Sequence, residues 1–162
     1  MNEIISRKRS ILKKKGVCAM NANAELLNFI YQNSQMGTDT LNQLIETTDD
    51  CSFRDFLRKH LEGYEHFHKE ARQLLNENGC DEKGLGSFDK IKTYLMVNVQ
   101  TMKDRSASNM AGMLINGSTM GIIDAVKKLH QYEKNADKKI LHLMEELQKF
   151  EEKNIEELKA YL

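Results

Sequence analysis

The sequence has no proline in 162 residues, where average usage of about 5% predicts roughly eight. That absence argues against a loop-rich β-sandwich or a Pro-rich linker protein, whose turns recruit proline. It suits long helices, whose interiors proline breaks. Net charge is also missing: 24 basic residues balance 24 acidic ones. Composition therefore predicts no whole-surface attraction to nucleic acid or membrane. No run reaches the roughly 18 apolar residues of a membrane helix, and the first 19 residues lack a signal-peptide apolar core. Cysteine is scarce. Cys18, Cys51 and Cys80 are an odd set without CxxC spacing, which reads as free thiols in a reducing cytoplasm.

The zero charge hides an asymmetry. Residues 1–19 hold Arg7, Lys8, Arg9, Lys13, Lys14 and Lys15 against Glu3, so a +5 segment offsets a −5 remainder. We divide the chain into a basic, disordered tail over 1–20 and a helical domain over 21–162. The tail has two readings. It tracks phosphates in a salt-dependent, sequence-independent way, or it is an inert extension ahead of a start at Met20. No aromatic residue interleaves it, so base stacking is not expected.

Apolar residues at Leu26, Leu27, Ile30, Leu41, Leu44 and Ile45 predict a helix from Ala22 to about Thr48. The middle of its face is polar or small: Asn33, Ser34, Gly37 and Thr40. Ser52 is expected to cap a second helix, carried by Phe53, Leu57, His60, Tyr64, Phe67 and Leu74 and stopped at Asn78-Gly79. A glycine-rich loop, GCDEKGLGS (79–87), follows. A short helix then runs from 88 to about 103, with Ser87 as its cap. Extending that helix to 131 would make it ~65 Å long, so the break falls at Asp104–Ser108, which also supplies cap hydroxyls. The next helix, about 107–132, carries Gly112, Gly117 and Gly121 inside it, each costing ~1 kcal/mol against Ala. Close helix approach is the expected compensation. The last helix runs from about 136 to 162 on Ile140, Leu143, Met144, Leu147, Phe150 and Leu158. Two tight helical hairpins joined by one long crossover give an all-α four-helix bundle with a short crossover helix.

The stretches YEHFHKEA (64–71), DRSASNMAGMLINGSTMGIIDA (104–125) and KFEEKNIEELKAYL (149–162) resemble the ferritin-like superfamily, closest to its small members from Gram-positive bacteria. The resemblance implies a cytoplasmic bundle, often a homodimer, that in many members holds two metals between four helices. Its di-iron template wants a Glu from each of two helices and an E-x-x-H from each of the others. This chain offers Glu65-x-x-His68 in the second helix and Glu151-x-x-Asn154 in the last. It has no Glu between Glu25 and Glu46, and no acid between residue 107 and Asp124. Two cations on two carboxylates would leave excess charge in a dry core, so no di-iron centre and no ferroxidase activity are expected.

Glu65, His68 and Glu151 are then the candidate metal ligands, with iron or manganese as the ion, in a site that has lost most of its ligand set. The competing reading is a hydrogen-bonded polar layer joining Glu65 and His68 to Asn33, Tyr64, Asn116 and Glu151 and fixing helix register. His60 is too far from His68 to share an ion, and His66, His130 and His142 read as surface residues. No nucleophile, oxyanion donor pair or phosphate loop accompanies these groups, and GLGS (84–87) lacks the P-loop lysine. Met96, Met102, Met110, Met113 and Met120 read as core filling, with Cu(I) ligation or an adaptable partner surface as alternatives. The function expected is non-enzymatic: a bundle acting by self-association or protein binding. A metal-dependent oxidoreductase or storage protein is the alternative, and DNA binding through residues 1–19 the second one.

Overall fold

The computed structural model describes the backbone of residues 2–82 and 89–162, with side chains from residue 22 onward. The described residues form α1 (Asn2–Thr47), α2 (Cys51–Glu77), α3 (Asp89–Gln100), α4 (Ala107–Tyr132) and α5 (Lys138–Leu158), then a 3-10 turn at Lys159–Tyr161. The chain is all-helical through these elements. No described helix is long and apolar enough to cross a membrane.

α1 differs from the expected boundary. Its backbone is helical from Asn2, so the segment expected as a disordered tail forms the first part of that helix. The composition gives a reason: Leu, Lys and Arg propagate helix well, and Gly16 is the lone strong breaker there. The side chains of residues 1–21 lie outside the described residues, and so do the readings attached to the basic residues and Cys18. The Ser87 cap and the GLGS motif also fall outside them.

The other boundaries follow local chemistry. Asp50, not Ser52, caps α2: its carboxylate accepts from the Phe53 amide at 2.9 Å. The helix starts two residues earlier than a Ser52 cap requires. Ser106 caps α4, accepting from the Asn109 amide at 3.2 Å. Gly79 ends the α2 stop with φ +65°, a conformation that costs glycine least.

Short connections make α1/α2 and α4/α5 antiparallel neighbours, and each helix packs chiefly on its hairpin partner. α1 also meets α4 and α5, α2 meets α5, and α3 lies on α1 and α4. Leu26, Leu27, Ile30, Phe53, Leu57, Leu75, Met144 and Leu147 are fully or nearly fully buried at the centre. The hairpins are tied at one end by Asn23 on α1. Its amide donates to Asp137 Oδ2 at 3.0 Å and its oxygen accepts from the Asp137 amide at 2.8 Å. Met110 and Met113 are buried and Met120 packs against the core, as core filling requires, whereas Met96 stands 41% exposed on α3.

Candidate functional site

One polar residue from each of the four long helices meets at mid-height. Glu151 on α5 is 4% exposed and lies at the centre. Asn33 Nδ2 from α1 donates to its Oε1 at 2.8 Å. Tyr64 Oη from α2 and Ser118 Oγ from α4 donate to its Oε2 at 2.8 and 2.7 Å. Burial pushes the Glu151 carboxyl above its ordinary range, against the opposing pull of the Ser118, Asn33 and Tyr64 donors. Burial, then the adjacent carboxylate, raise the Tyr64 hydroxyl well above 10.0, so it stays a donor.

Glycine makes this convergence possible. A Cβ at Gly37 would come within 2.6 Å of the Tyr64 ring, so only a bare backbone lets that ring lie against α1. On α4, a Cβ at Gly117 would sit 3.0 Å from Leu95 and one at Gly121 3.1 Å from Asn33 Oδ1. Gly117 and Gly121 thus bring α4 close to α3 and α1, whereas Gly112, expected to do the same, makes no close approach: a Cβ there would meet only Leu162, at 3.9 Å. A cavity of about 30 Å³ adjoins the layer, bordered by Asn33, Met36, Gly37, Tyr64, Gly117 and Glu151.

The three candidate ligands are not brought together. Glu151 occupies the centre, but Glu65 is exposed on the outer side of α2. The buried stripe of α2 runs through His60, Tyr64, Phe67 and Ala71, and Glu65 falls one residue, about 100°, off it. His68 lies half-buried at the α1/α2 edge, stacked on Tyr31 with ring centroids 4.3 Å apart, and its Nδ1 is 3.3 Å from the Tyr31 carbonyl. Among the described residues, no group of three or more His, Cys, Asp and Glu side chains is placed to hold a metal ion. Protein donors already take three acceptor positions of Glu151, whereas a metal ion needs several lone pairs at once. The residues present do not fit the two-metal site of the ferritin-like template.

The polar layer has different members from those expected. Asn33, Tyr64 and Glu151 belong to it. Asn116 does not: it is exposed and donates to Tyr94 Oη at 3.1 Å. Ser118 takes that place. The available signal was its position beside Gly117, whose buried face it partly shares. Asn154, one turn beyond Glu151, is 3% exposed, and its Oδ1 has no hydrogen-bond partner. His60 is the buried histidine. Its Nδ1 lies 2.9 Å from the Phe56 carbonyl and its Nε2 2.9 Å from Glu157 Oε2. His66, His130 and His142 are exposed, and Cys51 and Cys80 are free thiols.

The chain matches no protein-family model, no curated protein and no solved structure.

Proposed function

We propose that the chain is a non-enzymatic ferritin-like four-helix bundle, two antiparallel hairpins linked by a crossover carrying α3. In this reading a layer of protein hydrogen bonds stands where metal-holding relatives place their ions. The bundle acts by self-association, as a homodimer, or by holding a protein partner. The observation that carries the reading is the composition of the central layer: one carboxylate receiving three neutral donors, one from each of the other long helices. Such a layer fixes register and supplies no reactive group. Support for association comes from large apolar side chains left outside. Met96 and Val97 on α3 are 41% and 50% exposed, and Ile123 on α4 is 50% exposed.

Two measurements test this. Metal analysis of protein purified without chelator is expected to find no stoichiometric iron or manganese. Stoichiometric metal that disappears in Glu151→Gln would overturn the degenerate-site reading and favour the storage or oxidoreductase alternative. Sedimentation velocity is expected to show a dimer that dissociates in a Met96→Lys/Val97→Lys variant. A wild-type monomer at every concentration would sink self-association.

A further inference from the structure

The central carboxylate has no charge partner. Among the described residues no Lys, Arg or His pairs with Glu151, and its environment holds only neutral donors. Buried charges are ordinarily paired. Its hydrogen bonding is also incomplete. A carboxylate offers about four acceptor positions; Oε2 uses two and Oε1 uses one. One position on Oε1 is left for a further donor.

A small cavity borders Glu151. The cavity of about 30 Å³ beside the layer has room for one water-sized group. It abuts a groove of about 190 Å³ between α1 and α3, and the two share Met36, Thr40 and Leu95. Met96 and Val99 extend the groove's apolar wall, while Asp39 and Lys92 balance each other in charge at its edge. Selection by charge therefore falls to Glu151. A second cavity, of about 20 Å³, is lined by Tyr64, Ser118 and Asn154, whose Oδ1 has no hydrogen-bond partner. The polar chamber offers acceptors, and the approach to it is apolar.

We propose that this groove and cavity bind a small primary alkylammonium, whose head donates to Glu151 Oε1 and whose chain lies along Met36, Leu95 and Val99. The ammonium is close to water in size and carries three N–H donors; Thr40, on the shared wall, carries a hydroxyl oxygen that can accept a second bond. Methionine lets the groove adapt to the chain. Met96 belongs both to this groove and to the exposed α3 face proposed above for association, but the site needs no second copy: a monomer with the same core would carry it.

The test titrates wild-type protein with n-hexylamine, n-hexanol and n-hexyltrimethylammonium at neutral pH, followed by calorimetry and by amide NMR. Hexylamine is expected to bind at least tenfold tighter than the other two and to shift the Gly117 and Ser118 amides. The alcohol lacks the charge, and the quaternary head lacks N–H and exceeds the cavity. Glu151→Gln is expected to bring hexylamine within twofold of hexanol. Equal binding of amine and alcohol by the wild type would overturn the proposal, as would undiminished amine binding by Glu151→Gln. Should that variant not fold, the wild-type spectra decide alone: an amine titration that leaves Gly117 and Ser118 unmoved refutes the site.

Discussion

At Glu151, what matters is the number of partners that one substitution strands. Glu151→Ala leaves the Asn33, Tyr64 and Ser118 donors buried without an acceptor and opens a void among them. Each stranded donor costs about 1–3 kcal/mol, and the terms overlap because the donors share one site. We expect a loss of about 3 kcal/mol in urea denaturation. Glu151→Gln is different. Its oxygen keeps Tyr64 and Ser118, and turning the Asn33 amide over presents an acceptor to the new NH₂. The expected change at neutral pH is within about 1 kcal/mol. Equal losses for the two variants would show that the charge, not the bonding pattern, holds the layer. Gly37→Ala tests the same layer from the other side. The added methyl meets the Tyr64 ring at 2.6 Å, so the ring must leave α1 and its hydroxyl must leave Glu151. The gain in helix propensity is about 1 kcal/mol and overpacking costs about 1–3 kcal/mol. Net destabilisation is expected, together with a shifted near-ultraviolet tyrosine signal.

At the level of elements, the α1–α2 turn depends on Asp50. Its carboxylate holds the Phe53 amide, and Arg54 reaches back from the first turn of α2 to the Ile45 and Thr48 carbonyls. Asp50→Ala should cost about 1 kcal/mol, while Ser52→Ala should change stability little; the reverse order in thermal melts would return the cap to Ser52. This pair also shows how much of the fold the sequence made legible. Helix type and period were readable, because apolar spacing is a sum over many residues. The cap lies two residues before Ser52, because Asp49, Asp50 and Ser52 all carry competent oxygens and tertiary contacts choose among them. The same contrast holds at the candidate site. Asn33, Tyr64 and Glu151 stood on the buried stripes of their helices. Glu65 and His68 are joined to them in the sequence by a four-residue motif, but a motif does not fix helix rotation. The stripe through His60, Tyr64 and Phe67 turns Glu65 outward by about 100°. Ser118 has only its place beside Gly117 to mark it, since the face of a glycine-rich helix carries little hydrophobic pattern to orient a donor.

For the whole molecule, the buried carboxylate sets a pH dependence of stability. Burial raises the Glu151 pKa above its ordinary 4.5 in the folded state, while the unfolded chain restores the ordinary value. The folded state therefore binds a proton that the unfolded state has already released between those two values. Its contribution to stability is full below about pH 4.5 and is lost as pH rises through the folded pKa. This is opposite to the behaviour of a carboxylate held by a salt bridge. The remaining acidic residues, among them the exposed Asp104 whose pKa is lowered by the Ser106 amide, are common to wild type and variant and cancel in a difference. Unfolding free energies of wild type and Glu151→Gln, measured from pH 4 to pH 8 without added amine, isolate the effect. The wild type is expected to lose stability relative to the variant as pH rises and then to level off. A difference that stays flat would mean that the three donors fully compensate for burial. A wild type that gains on the variant with rising pH would mean that an uncharted cation reaches the carboxylate in the folded chain.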